Sequence, residues 1–143
     1  MVSLVSKTEI PALPVENSPT LRVLVVDDEP LIRWSLAETL AESGHSVTEA
    51  AVGASAIRAL TGDGPFDVVL LDYRLPDSND LNLLTTIRIR APQSAVIVMT
   101  AFGTPEVMNG AVALGAFRVV PKPFEVHDLV TLVVQAHNAR PGT

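Results

Sequence analysis

The chain is 143 residues long and 48% of its residues are hydrophobic, which fits one domain with a buried core and excludes wholesale disorder. It has no cysteine, which excludes a disulfide scaffold, a thiolate zinc site and a cysteine nucleophile. Sixteen acidic and ten basic residues give a net charge of −6, so direct binding to nucleic acid is not expected. The sequence lacks an apolar run of the roughly 18 residues that span a membrane and a secretory signal pattern, so a cytoplasmic protein is expected.

The two ends of the chain differ from its middle. Residues 1–20 carry Pro11, Pro14 and Pro19 and no sustained periodicity, so they are predicted to form a flexible leader outside the fold. Residues 21–139 are predicted to be the folded domain. Residues 140–143 are predicted to begin a linker to something further.

Strand and helix patterns alternate five times along the domain. Short apolar runs typical of buried strands lie at residues 21–26, 46–51, 66–71, 95–99 and 117–120. Apolar residues at helical spacing follow each run, at residues 32–40, 55–60, 81–87, 107–114 and 126–133. This α/β alternation predicts a doubly wound, five-stranded parallel sheet with helices on both faces and right-handed crossovers. Ligands of such sheets bind at the carboxyl ends of the strands.

Polar residues stand at the ends of four predicted strands. Asp27 and Asp28 follow the first, Asp72 follows the third, Thr100 the fourth and Lys122 stands just beyond the fifth. Carboxylates pressed together repel one another unless a cation lies among them, and an all-oxygen ligand set favours Mg²⁺. Such a metal and Lys122 together could neutralise a transferring phosphoryl group. Asp72, at the end of the middle strand, is then the candidate nucleophile.

Taken singly, these residues have simpler interpretations. Asp28 could cap the first helix, and Asp72 could be a turn residue before Arg74. Thr100 could be a capping hydroxyl and Lys122 a solvated charge. Complementary chemistry at four separate strand ends favours a shared site, because capping alone does not produce it.

Four segments carry a resemblance to a known family. They are VLVVDDEP at residues 23–30, VVLLDYRLPD at 68–77, VIVMTA at 96–101 and PKPF at 121–124. Over residues 21–139 the sequence resembles the receiver domains of two-component response regulators. The resemblance implies a flavodoxin-like receiver fold with five helices and the strand order 2-1-3-4-5.

The resemblance also implies a role for each site residue. Asp72 would be phosphorylated by a partner sensor histidine kinase, Thr100 would be the switch hydroxyl, and Lys122 would pair with the phosphoryl group. The backbone of Ala101 would contact that group, and the Lys122–Pro123 peptide would be cis. The implied ligands of Mg²⁺, or of Mn²⁺ as a substitute, are Asp27, Asp28, Asp72 and the backbone carbonyl of Arg74. The domain would be a phosphoacceptor that assists its own phosphorylation and slow dephosphorylation, and not an enzyme acting on a metabolite.

A finer resemblance concerns IRWSL at residues 32–36, YRLPD at 73–77 and GAFRVVPKPF at 115–124. These segments are similar to receivers of nitrogen-regulation-type transcriptional activators, which carry an AAA+ ATPase module and a helix-turn-helix domain downstream. The chain would then be a regulatory fragment, with nucleic-acid binding left to other residues. A homodimer would form through the face of the fourth helix, fifth strand and fifth helix, or through the fourth and fifth helices separately.

Several positions depart from the family pattern or flank its acceptor. Val119 stands where an aromatic residue usually reports phosphorylation, and Phe117 is expected on the same side of the strand but in a different place. Asp80 replaces a common glycine, and a slightly altered loop around an intact site is expected. Arg74 and Phe102 occupy positions that the family associates with the lifetime of the phosphoryl group, and Phe102 is a candidate barrier to attacking water.

Three other functions are alternatives to that of a receiver domain. An aspartyl-nucleophile phosphatase of the haloacid-dehalogenase type needs a second aspartate where this chain has Arg74. A nucleotide-binding module is disfavoured, because neither GxGxxG nor GxxxxGK occurs. A pseudo-receiver, which binds partners without phosphotransfer, is disfavoured by the complete set of acidic residues, threonine and lysine, but Val119 keeps it open.

Overall fold

A computed structural model of the protein describes residues 19–139, so the predicted linker and the first 18 residues of the predicted leader lie outside it. The elements follow one another along the chain as β1 (Arg22–Val26), α1 (Pro30–Glu42), β2 (Ser46–Ala50), α2 (Gly53–Gly62), β3 (Val68–Asp72), α3 (Asn82–Arg90), β4 (Ala95–Thr100), α4 (Pro105–Ala113), β5 (Arg118–Pro121) and α5 (Val126–Asn138).

The five strands form one parallel sheet. Its order is β2-β1-β3-β4-β5, and Val69 in the middle strand is paired with Leu24 on one side and Val96 on the other. The predicted doubly wound sheet with the order 2-1-3-4-5 and five helices is therefore confirmed. Because all strands run the same way, their carboxyl ends lie at one edge.

The core consists of two apolar layers, one on each face of the sheet. Successive residues of the three central strands alternate between the layers, as the pleat requires. The first layer packs Leu24, Val69 and Val96 against buried residues of α2, α3 and α4. The second packs Val25, Leu70 and Ile97 against α1 and α5. This double coverage explains why the central strands read as continuous apolar runs.

Observed element boundaries follow the predicted ones to within a few residues. Gly44 and Gly115, which follow α1 and α4, have φ values of 94° and 102°, a conformation that favours glycine. Asp72 is the last residue of β3, where the prediction ended that strand one residue earlier. In the described part of the chain, no helix combines the length and hydrophobicity that crossing a bilayer requires.

Candidate functional site

The carboxyl edge of the sheet brings the predicted residues together. Asp27 directly follows β1, Asp72 ends β3, Thr100 ends β4 and Lys122 directly follows β5. The Lys122 backbone N–H donates to the Thr100 carbonyl at 2.8 Å, which continues the pairing of β4 and β5 up to the lysine. The parallel register, acting through four separate elements, thus assembles one cleft.

Lys122 occupies the centre of this cleft and is largely buried. Its ammonium donates to Asp27 Oδ2 and to Glu29 Oε1, both at 2.9 Å, and lies 3.3 Å from Asp72 Oδ2. The lysine side chain is 11% exposed, whereas that of Asp27 is fully buried. One cation therefore faces three carboxylates, which leaves an excess of negative charge.

The charges of the cleft change the pKa values of the groups that share it. Burial, followed by repulsion from Asp27, raises the pKa of Asp72 to about 6, against the opposing attraction of Lys122. Burial alone would lower the pKa of Lys122, but the hydrogen bonds to Glu29 and Asp27 outweigh it, and the pKa is raised. At neutral pH the lysine is charged and Asp72 is mainly a carboxylate, the form that can act as a nucleophile.

Three carboxylates of this edge lie close enough to share a metal ion. Oxygen atoms of Asp27, Glu29 and Asp72 all lie within 4.8 Å of one another. An all-oxygen, mainly carboxylate donor set with excess negative charge fits a hard divalent cation such as Mg²⁺. Asp28 lines the same cleft and, like Glu29, is an exposed residue, but the compact group contains Glu29 and not Asp28.

Helix α1 holds the Asp27 loop in position. Arg33 on this helix donates from Nη1 to the backbone carbonyl of Asp27 at 2.7 Å, and the Glu29 N–H donates to Asp27 Oδ1 at 2.9 Å. Both bonds start within the first turn of α1 or just before it. The acidic turn after β1 is therefore fixed from both its backbone and its side chain.

The β4–α4 loop forms the opposite wall. Thr100 is buried, and its hydroxyl oxygen accepts a hydrogen bond from the Phe102 N–H at 2.8 Å. Phe102 is 48% exposed, and the Arg74 guanidinium lies 4.1 Å from the centre of its ring. Arg74, Ala101 and Phe102 line an open cleft of about 280 Å³ beside Asp72 and Lys122.

The departures from the family pattern have distinct structural outcomes. Val119 is buried in the layer formed with α2, α3 and α4, whereas Phe117 packs in the opposite layer. The expectation that Phe117 shares a side with Val119 is wrong, because β5 begins at Arg118 and strand alternation does not reach Phe117. Asp80 Oδ1 accepts a hydrogen bond at 2.9 Å from the N–H of Asn82, the first residue of α3. The Lys122–Pro123 peptide is cis, as predicted.

Comparison with known proteins shows the family. The profile of the response regulator receiver domain matches residues 23–134. The chain therefore belongs to the response regulator receiver domain family.

Individual relatives show which response regulators the chain is similar to. The chain is 41% identical over 114 residues to the DNA-binding transcriptional regulator NtrC of Escherichia coli K12, covering 80% of this chain and 24% of that protein. It is 38% identical to the response regulator protein PilR of Pseudomonas aeruginosa, covering 83% of this chain and 26% of PilR. The chain thus spans about a quarter of the curated relatives that it matches. Both relatives are named as regulators, which agrees with the regulatory role predicted for this receiver domain.

Solved structures with the same fold superpose on most of this chain. NtrX from Brucella abortus superposes with a TM-score of 0.76 at 32% identity, over 84% of this chain and 27% of that one. A CheY-like receiver domain protein from Methanospirillum hungatei superposes with a TM-score of 0.79 at 25% identity, over 84% of this chain and 95% of that one.

Two acidic residues near the site were not singled out from the sequence. Glu29 directly follows the predicted acidic pair Asp27 and Asp28. Nothing in the sequence indicates that its carboxylate, and not that of Asp28, lies beside Lys122. Asp77 belongs to the YRLPD segment, but its hydrogen-bond partners lie 23 and 24 residues earlier in the chain, so the sequence gives no sign of the contact. Only tertiary structure reveals either contact.

Proposed function

We propose that Asp72 accepts a phosphoryl group from a sensor histidine kinase and that this phosphorylation switches an output surface. The observation that carries the proposal is the buried Lys122 ammonium, 3.3 Å from Asp72 Oδ2 and held by two further carboxylates. An ammonium placed beside the acceptor can stabilise the negative charge of the transferring group.

The transfer follows from this arrangement. A carboxylate oxygen of Asp72 attacks the phosphorus of a phosphohistidine, the oxygen–phosphorus bond forms, and the bond to the imidazole nitrogen breaks. Asp27, Asp28, Asp72 and the Arg74 carbonyl are the proposed ligands of Mg²⁺ or Mn²⁺, with Glu29 an additional neighbour. The bound cation supplies charge neutralisation for the phosphoryl oxygens. Ala101 lines the cleft, and its backbone is the proposed further contact to the same group.

Thr100 is the proposed link between phosphorylation and shape. Its hydroxyl oxygen accepts from the Phe102 N–H, and its O–H is available to donate to a phosphoryl oxygen, so movement of Thr100 toward the phosphoryl group would pull on the bond to Phe102. A shift of Thr100 would therefore move the loop that leads directly into α4. Val119, which is buried behind α4, would accommodate the shift by packing and not by an aromatic rotation. Phosphorylation would in this way change the population of two pre-existing states.

The proposed output is a homodimer that uses α4. Met108, Val112 and Leu114 expose apolar surface on α4 and at its end. The contact would use either the α4-β5-α5 face or α4 and α5 separately. Downstream domains of the nitrogen-regulation type would then control transcription in the cytoplasm, since NtrC is named a DNA-binding transcriptional regulator. The net charge of −6 argues against nucleic-acid contact by this domain.

Acetyl phosphate tests the proposal without a cognate kinase. Incubation with acetyl phosphate and Mg²⁺, followed by intact mass measurement, should show one added phosphoryl group, and Asp72→Asn should abolish it. Asp80→Asn, which changes an exposed carboxylate of the same loop, is the matched control and should retain it. The absence of any gain in the folded wild type would support the pseudo-receiver instead. A gain that persists in Asp72→Asn would contradict the assignment of the acceptor.

A further inference from the structure

The loop that carries the proposed carbonyl ligand Arg74 is attached to a neighbouring helix by one side chain. Asp77 Oδ1 accepts the Gly53 N–H at 2.7 Å, and Asp77 Oδ2 accepts the Ala54 N–H at 3.0 Å. These amides are the first two of α2. The residue before them is Val52, whose side chain has no oxygen that could cap the helix. The cap of α2 is therefore supplied from the β3–α3 loop.

Several features make this contact favourable. The first amides of a helix lack intrahelical partners and carry partial positive charge, so a carboxylate is stabilised there. The hydrogen bonds from Gly53 and Ala54 lower the pKa of Asp77, which is the expected consequence. Gly53 also leaves the necessary space, since a Cβ at this position would lie 3.1 Å from Asp77 Oδ1.

Together with backbone hydrogen bonds, this contact holds the loop on both sides of Arg74. On one side, the Tyr73 N–H donates to the Met99 carbonyl at 2.8 Å. On the other, Leu75 and Ser78 exchange backbone hydrogen bonds of 2.7 and 3.2 Å and close a tight turn. Asp77 lies inside that turn and attaches it to α2. The backbone at Arg74 is thereby held between the sheet and a helix.

We infer that Asp77 is a positioning residue, which sets the Arg74 carbonyl for metal binding by attaching the acceptor loop to the N-terminus of α2. This inference rests on the proposed function, because the carbonyl ligand belongs to that proposal. Residues that orient metal ligands commonly alter affinity by about 10- to 100-fold. A smaller effect is expected here, because a single backbone ligand is affected.

Binding of Mn²⁺ alone, followed by the electron paramagnetic resonance signal of the free ion, tests the inference without phosphorylation. Asp77→Ala should raise the dissociation constant about three- to tenfold. Asp77→Asn should have a smaller effect, since its amide oxygen still accepts one N–H. Gly53→Ala should act in the same direction from the helix side, because its Cβ would lie 3.1 Å from Asp77 Oδ1 and crowd it. The double variant should be non-additive, because both changes disturb the same contact.

Ser55→Ala is the matched control. It removes the Ser55 hydroxyl, which accepts the Val52 N–H at 3.3 Å at the same helix start, without touching Asp77. Urea unfolding gives the free energy of unfolding of every variant and so shows whether weaker Mn²⁺ binding reflects a loss of stability. The inference is overturned if Asp77→Ala binds Mn²⁺ as tightly as the wild type, or if Ser55→Ala weakens binding equally. A wild type that binds no Mn²⁺ and takes up no phosphate would instead overturn the proposed function, and this inference with it.

Discussion

At the scale of single residues, one lysine ammonium contacts three carboxylates of the site. Lys122 lies within 3.3 Å of Asp27, Glu29 and Asp72, yet the repulsion among them is only partly offset. Asp72 has the raised pKa, because burial and Asp27 act on it together. The residue proposed as acceptor is thus held in an unfavourable environment, which a divalent cation would relieve.

The raised pKa of Asp72 predicts a pH-dependent effect of Asp72→Asn on stability. Between its ordinary pKa of 3.8 and about 6, the folded state binds more protons at this position than the unfolded state. The carboxylate therefore costs stability above that range and costs little below it. Asp72→Asn should raise the free energy of unfolding by on the order of 1–3 kcal/mol at pH 8.

Urea unfolding in the presence of EDTA measures this difference. The advantage of Asp72→Asn over the wild type should shrink as the pH falls from 6 to 4. A difference that stays constant over this range, or a variant less stable than the wild type at pH 8, would show that the charge of Asp72 is not unfavourable.

At the scale of elements, two loops meet over the acceptor. Arg74 belongs to the β3–α3 loop and Phe102 to the β4–α4 loop, and their stacking joins the two loops on one side of the cleft. Arg74 is itself exposed, so the stacked pair forms an outer wall and not part of the core. We propose that this bulky apolar ring at the mouth of the cleft restricts the approach of water to a phosphoryl group on Asp72.

Phe102→Ala is expected to shorten the half-life of the phosphorylated protein at least about twofold, because it removes the ring and releases Arg74. The half-life is measured by intact mass after the phosphodonor is removed. Ile89→Ala, which truncates an exposed apolar side chain on α3, is the control and should leave the half-life unchanged. An unchanged half-life in Phe102→Ala would reject the barrier.

The element scale also shows what sequence can predict. The strands and helices follow from apolar periodicity, and the strand-end rule brings Asp27, Asp72, Thr100 and Lys122 to one edge before any contact is known. The pattern places the start of α2 at Ser55, two residues late, because the amides of Gly53 and Ala54 are capped by Asp77, a residue of another loop. Phe117 was misplaced since it lies just outside β5, where strand alternation no longer applies. Local patterns fail where a tertiary contact decides.

At the scale of the whole molecule, the cleft proposed for phosphoryl transfer and the surface proposed for dimerisation lie in different places. The proposed acceptor cleft lies at the carboxyl edge of the sheet, whereas the exposed apolar residues of α4 lie on a flank of the fold. The β4–α4 loop, which begins directly after Thr100, connects the two. In the proposed switch, a change at one end of this loop would therefore reach α4 without crossing the core.

The α4 surface predicts a phosphorylation-dependent dimer. Val112 is 56% exposed, so Val112→Asp should preserve folding and phosphorylation but prevent dimerisation, because it places a charge in an apolar contact. Light scattering of the phosphorylated protein measures the change in mass. Ile89→Asp, at a comparably exposed apolar position on α3, should dimerise as the wild type does. A wild type that stays monomeric when phosphorylated, or a dimer unaffected by Val112→Asp, would contradict an α4 interface.

The central claim is that one aspartyl oxygen, beside a buried lysine, forms the bond to phosphorus. Borohydride reduction of the acetyl phosphate-treated protein converts an aspartyl phosphate to homoserine, and tandem mass spectrometry of its peptides then locates the modified residue. The account predicts homoserine at position 72 and at no other aspartate of the cleft. Homoserine at Asp27 or Asp28, or a fully unmodified peptide from protein that had gained phosphoryl mass, would contradict it.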